Sequence, residues 1–439
     1  MRAHDQVRWL NRLAMEHGNF AAAIRHAVEM RDAATALRFV AALAWFWIMR
    51  DYDAEAAEWA GAALEITGGS APPGLADEYA LCRFLSAIGA ATTSETGTAL
   101  RETLGQVAPL LDLGTKHPLM AVAGPLLTFL GGDQDAARRG LAAIAEHPDP
   151  WVRAGQRAAL GHLAIHSGEI DQAAAELAAG YTGFQAVGDR WGMIVCLGGL
   201  ADVAMARGEW AEAVRVLEEG RGYAAEGLAG NWAEMMLMPL GKARAGLGDL
   251  DGARSDLERG VRTAGRIGEH DDEVSGYLGL SDLARRDGDL PQARRLLERA
   301  LEIIESRPRW PVMGPVTARL FGKLGCLAEQ EGDLAAAARW HAKAIEAAAA
   351  TEAAFLPNNP LLAEVTEGVA ALATTRGEHA RAAELLGLAH ALQGYRNAAS
   401  LEVARATAVA AAAIGDEAYA AAYARGQRLT REDALALVP

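Results

Sequence analysis

Large apolar residues in this chain stand at fixed distances from a recurring polar turn. Leu160, Leu200, Leu240, Leu280, Leu324 and Val369 lie eight residues before a turn glycine, and Leu177, Leu217, Leu257, Leu297 and Leu386 lie nine after it. The turn itself reads Gly-Asp/Glu-x-x-x-Ala and begins at Gly132, Gly168, Gly208, Gly248, Gly288, Gly332, Gly377 and Gly415, with 40 residues between Gly168, Gly208, Gly248 and Gly288. A fixed period of this length means one supersecondary unit copied along the chain, each copy too small to bury its apolar face alone. His341 interrupts the second leucine row.

Small residues keep the same register. Gly161, Ala201, Gly241, Ser281, Gly325 and Ala370 stand seven before the glycine, and Gly180, Gly220, Gly260, Ala300, Ala344 and Ala389 twelve after it. Alternating small and large rows are what side chains of one helix need to enter the gaps of an antiparallel neighbour. The glycine is expected to cap helix A in the left-handed conformation, and the acid after it to cap helix B and complement its dipole. The pattern resembles the tetratricopeptide repeat. That unit runs about 34 residues, so a period of 40 implies longer helices. Pro125, Pro239 and Pro315 fall inside expected A helices and should kink them or mark their starts. The expected fold is all-α, a right-handed α-solenoid of tetratricopeptide-like antiparallel helix pairs.

Residues 1–115 are less regular, with one related turn at Gly18 and a loop over residues 68–74, and read as a helical N-terminal segment packed on the array. Residues 116–399 form the repeat array, and residues 400–439 the capping helices that an open solenoid end requires.

Composition narrows the function. The net charge of −15 repels a phosphate backbone and argues against direct nucleic-acid binding. Cys82, Cys196 and Cys326 are far apart, which fits neither a disulfide framework nor a thiolate metal site and suits a cytoplasmic setting. The most apolar stretch, residues 39–49, is short for a membrane span, so no membrane partner is expected. His162 and His166 lie four apart but lack a third ligand, and the acidic run at residues 269–273 suits a helix start, so no metal and no cofactor is expected. No nucleophile, base and orienting group fall together in one repeat, so the protein is not expected to be an enzyme.

Both ends carry more particular motifs. Trp9-Leu10, Leu13, Glu16-His17-Gly18-Asn19-Phe20 and Ala22-Ala23-Ile24, continued by Leu43-Ala44-Trp45-Phe46-Trp47 and Arg50, are similar to the segment that follows the winged helix of a nucleotide-switch ATPase. Arg381-Ala382-Ala383-Glu384-Leu385-Leu386-Gly387 with Ala389-His390-Ala391-Leu392, then residues 420–426 and Asp433-Ala434-Leu435, are similar to the late repeat and closing helix of the same group. That group is the AfsR-like Streptomyces antibiotic regulatory proteins and related LuxR-type regulators. The resemblance implies the regulatory, tetratricopeptide-repeat part of a large actinobacterial transcription regulator of the signal-transduction ATPase (STAND) kind, its ATPase and DNA-binding parts lying outside this chain.

In stacked helix pairs the A helices line the concave face. Residues six before the turn glycine (Asp202, Lys242, Asp282), thirteen before it (Val195, Met235, Ser275, Arg319) and seventeen before it (Trp191, Asn231, Asp271) form a candidate groove, with Gly198, Gly199, Met238 and Gly279 as a small, soft floor. The methionines read equally as core filling, and Trp151 and Trp191 as staples between units. Two functions fit. In one, a sensor takes a small-molecule inducer or partner protein in the groove and controls the ATPase module. In the other, a stand-alone scaffold binds a peptide or helix of a partner.

Overall fold

The structure is a computed structural model that describes residues 2–93, 117–130, 133–226, 230–306, 314–352, 360–397 and 400–436. These residues are overwhelmingly helical with no strand among them. The helices are α1 (Gln6–Met15), α2 (His17–Glu29), α3 (Ala33–Arg50), α4 (Asp53–Glu65), α5 (Ala76–Thr93), α6 (Pro118–Leu130), α7 (Gln134–Ala143), α8 (Pro150–His166), α9 (Ile170–Val187), α10 (Arg190–Arg207), α11 (Trp210–Ala225) and α12 (Gly230–Met235). They continue as α13 (Leu237–Leu247), α14 (Leu250–Ile267), α15 (His270–Arg286), α16 (Leu290–Glu305), α17 (Gly314–Gln330), α18 (Leu334–Glu352), α19 (Pro360–Thr375), α20 (His379–Gln393), α21 (Leu401–Ile414), α22 (Asp416–Gly426) and α23 (Arg431–Leu435). The architecture is an α-solenoid of helix pairs. It divides into two compact units, the first Met1–His162, Ala175–Gly198 and Glu219–Ala233, the second Leu163–Ala174, Gly199–Glu218 and Glu234–Pro439.

The repeat chemistry works as the spacing requires. Gly168, Gly208, Gly248, Gly288, Gly332 and Gly377 all have φ between 72° and 92°. In each, the amide of the following acid returns to a carbonyl five residues earlier, as in Asp249 to Arg244 at 3.0 Å and Glu378 to Ala373 at 2.9 Å. This is the C-terminal closure that only a left-handed residue allows without strain. The acid caps helix B where it is aspartate: Asp249, Asp289 and Asp333 accept the amides of Gly252, Gln292 and Ala336 at 2.8 to 3.0 Å. Glu378 makes no such side-chain cap, since one more methylene carries its carboxylate past the amide. Gly415 is also different, with ψ 154°, and Gly132 lies outside the described residues.

Small and large rows meet within each unit. A methyl placed on Gly161 would stand 2.5 Å from Leu177 Cγ, and one on Gly241 2.6 Å from Leu257 Cγ. The histidine that interrupts the leucine row is accommodated: a methyl on Gly325 or on Gly368 would stand 2.6 Å from the His341 ring. His341 is thus clasped between glycines of α17 and α19, and burial lowers its pKa to about 4. Pro239 and Pro315 mark helix starts, at the first turns of α13 and α17, whereas Pro125 sits inside α6.

In the first unit the related turn falls at Glu16, between α1 and α2, and Gly18 lies in the opening turn of α2. Helix α3 has 18 residues and is apolar enough by length and composition to cross a membrane, longer than the 39–49 stretch suggests; Leu37, Val40, Leu43, Phe46 and Trp47 on it are buried in this unit. Its Trp45 meets Trp151 and Trp191 edge to face with centroids 5.2 and 5.0 Å away, and Trp191 in turn meets Trp232 at 6.0 Å. Asp189, which opens α10, is buried. It accepts from the Trp151 indole, from Gln6 Nε2 at 3.1 Å and from the Gly192 amide at 3.1 Å, while Gln6 Oε1 accepts from the Arg190 amide at 3.0 Å. Burial pushes the Asp189 carboxyl up, and these three donors oppose it.

In the second unit each B helix shares its core with two A helices. Leu297 of α16 packs with Leu278 of α15 and with Leu320 and Leu324 of α17. Each such leucine removed from water stabilises by roughly 1.5–3 kcal/mol, and no repeat gains this without its neighbour.

Candidate ligand cavity

Along α10, α13, α15, α17 and α19 the residues two or three, six, nine or ten, and thirteen before the turn glycine face inward and enclose a cavity of about 490 Å³ within the second unit. Small-molecule sites typically span about 300–1,000 Å³. Its apolar wall is Ile165, Ile170, Met205, Trp210, Met238, Leu257, Leu278 and Val365, with Gly241, Gly279, Gly322 and Gly368 leaving space. The remaining wall comes from the connection after α20, where Gln393, Tyr395, Asn397 and Ser400 line the cavity. A methyl at Gly394 would stand 2.7 Å from the Gly168 Cα, so this connection touches the turn between α8 and α9.

The lining charges fall into networks. Asp282 accepts Lys323 Nζ at 2.8 Å and Arg285 at 3.0 Å, and Arg285 reaches Glu402 at 2.6 Å. Arg319 Nε donates to Glu364 at 2.9 Å. Burial alone would raise Glu402 and Glu364. Instead Lys323 and Arg285 hold Glu402 well below the usual carboxylate range, and Arg319, Lys323 and Lys242 hold Glu364 below it. Burial would depress Lys323, yet Asp282, Glu402 and Glu364 keep its ammonium charged. Glu367 behaves oppositely. Buried and without a cation on it, it is pushed up to about 8 despite hydrogen bonds from Ser400, Gln393 (3.2 Å) and Asn397 (3.2 Å), so its carboxyl is mostly neutral at pH 7.

Asp202 and Lys242 act on these networks only at a distance, Lys242 through its charge on Glu364. Both are accessible in the cavity wall, and neither has a hydrogen bond or ion pair to any described residue. Asp202, surrounded by protein, has its pKa raised to about 6 by burial, and the Lys242 charge pulls only partly against this.

Six of the twelve groove residues expected from the sequence come together here: Asp202, Met238, Lys242, Ser275, Asp282 and Arg319, with Gly279 from the floor. Trp191, Val195 and Gly198 belong to the first unit, Trp191 in the aromatic chain. Met235 is 52% exposed and does not line the cavity. Asp271 opens α15 outside it, and the Asn231 side chain lies outside the described residues. Of the row seventeen before the glycine, Trp191 and Asp271 therefore lie outside the cavity, while Pro360, at the same offset from Gly377, lines it. Sequence reasoning missed Glu364, although it is the next member of the row holding Ser275 and Arg319, and also Lys323 and Glu367. Among the described residues no three His, Cys, Asp or Glu side chains cluster as metal ligands.

Residues 232–306 match the tetratricopeptide repeat family model. No curated protein matches the sequence significantly. Among solved structures the chain is similar to a tetratricopeptide repeat protein from Parabacteroides merdae, at 16% identity and TM-score 0.41 over 67% of this chain and 98% of that one. It is also similar to NprR in complex with its cognate peptide NprX, at 12% identity and TM-score 0.49 over 72% and 90%. A third likeness is to the STAND signal-transduction ATPase with a tetratricopeptide repeat sensor from Pyrococcus horikoshii, at 13% identity and TM-score 0.47 over 76% and 52%. Residues 232–306 thus carry the tetratricopeptide repeat within a fold of stacked helix pairs.

Proposed function

We propose that this chain is a sensor array that takes a small molecule into the second-unit cavity and, as the regulatory part of a bacterial transcription regulator, passes occupancy to an ATPase module of the same longer protein. The observation that carries the reading is the cavity of about 490 Å³, with an apolar wall and two accessible charges that the fold leaves unpaired. Charges left unpaired and accessible in a concavity are free to take a ligand group of opposite charge, which binds there more strongly than on an open surface. Signal transfer then requires only that occupied and empty arrays differ in free energy toward the ATPase.

Binding and not catalysis suits the lining chemistry. Its thiol, Cys326, is pushed well up by burial and then by Glu402, away from the thiolate a nucleophile needs. The end motifs at residues 9–24 and 381–392 support the regulator reading.

The cavity itself is tested with 1-anilinonaphthalene-8-sulfonate, an apolar probe with one anionic group. Gly322 lines the cavity and a Cβ added there meets open space, so Gly322→Trp should project a large ring toward the chamber, and circular dichroism checks that the variant folds. Wild-type protein is expected to enhance the dye's fluorescence with one-site stoichiometry, and Gly322→Trp to abolish that. Equal enhancement by the two proteins would refute the reading.

A further inference from the structure

Asp202 and Lys242 occupy the same position, six before the turn glycine, on the A helices of successive repeats α10 and α13. The third member, Asp282, is already held by Lys323 and Arg285, and Arg319 by Glu364. Of the remaining lining charges, Arg286 donates to the Ala245 carbonyl at 2.7 Å, Glu402 holds Arg285, and Glu367 is bonded to Gln393 and Asn397. Among the described lining residues, then, Asp202 and Lys242 have no hydrogen bond or ion pair, while Arg286 is bonded to a carbonyl and not to an acid. Asp202 and Lys242 do not satisfy each other, since they form no ion pair. Around them lie Met205, Met238 and Trp210, an apolar wall beside a charged pair.

Building on the sensor reading, we infer that the cavity recognises a small zwitterion, its ammonium held by the Asp202 carboxylate, its carboxylate by the Lys242 ammonium, and its apolar body against Met205, Met238 and Trp210. A ligand with one charge leaves the other site unpaired in the enclosed wall. A zwitterion satisfies both and carries no net charge into the cavity. The cavity volume limits the ligand to the size of an amino acid or a very short peptide. The raised pKa of Asp202 agrees, because the carboxylate lacks a bound cation there.

The test is calorimetric titration of the protein with the common free amino acids and with dipeptides of apolar residues, each beside its N-acetyl and C-amide forms. At least one zwitterion is expected to bind, and either capped form to bind about tenfold or more weakly, the range for losing a charged hydrogen bond. Asp202→Asn should erase the penalty for N-acetylation while keeping that for amidation, and Lys242→Met the reverse. If no zwitterion binds, or capping changes nothing, the inference fails. Dye binding that Gly322→Trp abolishes would then leave the sensor cavity standing, whereas loss of both results would remove the two together. Circular dichroism of the variants separates misfolding from lost recognition, and a folded Asp202→Asn variant that still rejects N-acetylated ligands would contradict the assignment.

Discussion

The two units solve the same packing problem with different side chains. The first joins successive helices by aromatic rings, Trp45 to Trp151 and Trp191 and on to Trp232, around one buried aspartate that is donated to from three sides. The second uses leucine and glycine between its helices, and concentrates polar groups on the inner faces of the A helices, where a cavity remains. Large rings fill the space around Trp45, whereas small residues such as Gly279 and Gly322 line the second unit's cavity beside charges that are neutralised locally. The described repeat turns from Gly168 to Gly377 all fall in the second unit, so the regular period goes with the leucine–glycine packing.

The largest test of that contrast is Arg285→Met. It removes the bonded partner of Glu402 while Asp282 keeps Lys323, and breaking a buried pair this way typically costs about 3–5 kcal/mol; denaturant unfolding should show such a loss, and a stability within about 1 kcal/mol of wild type would mean that the network is not structural. The next is Glu367→Gln. Because the folded state raises this carboxyl from 4.5 to about 8, the folded chain keeps a proton that the unfolded chain releases. Its contribution is therefore complete below about pH 4.5 and is lost as pH rises through about 8, on the order of 2 kcal/mol between about pH 5 and 7. Thermal melts of Glu367→Gln should show a flatter pH dependence over this window than wild type; an identical slope would refute the neutral carboxyl.

In the first unit, Trp151→Phe keeps a ring for Trp45 but removes the donor to Asp189, and should cost about 1.5–3 kcal/mol. A neutral outcome by chemical denaturation would show that Gln6 and Gly192 suffice. The smallest contrast lies within α17. Gly325→Ala meets the His341 ring and should destabilise by about 1–3 kcal/mol. Gly322→Ala points into open space and should gain up to about 1 kcal/mol from helix propensity. Equal Tm changes in the pair would break the account of which face is packed.

Much of this was legible in the sequence because the period carries it. The turn glycines, the aspartate caps and the meeting of Gly161 with Leu177 follow from spacing alone. So do Asp202, Lys242, Asp282, Ser275 and Arg319, since a stacked repeat places equal offsets on one face. Trp191 and Asp271 fall outside the cavity, Trp191 in the first unit and Asp271 at the start of α15, although Pro360 at the same offset lines it. Gln393, Tyr395, Asn397, Ser400 and Glu402 had no signal, because the connection after α20 follows no repeat register and its contacts join positions far apart, as Arg285 and Glu402 do across 117 residues. His341 shows the converse: an interruption in a row is read correctly only together with the two glycines that make room for it.

The central claim is that the second unit holds a ligand chamber lined by the inner faces of its A helices. Methyl resonances of the methionines report on it directly, since Met205 and Met238 line the cavity while Met49 and Met120 are buried in the first unit. On titrating methyl-labelled protein with 1-anilinonaphthalene-8-sulfonate, the account predicts saturable shifts at Met205 and Met238 and none at Met49 or Met120. Shifts confined to exposed Met235, or to the first-unit methyls, would contradict it.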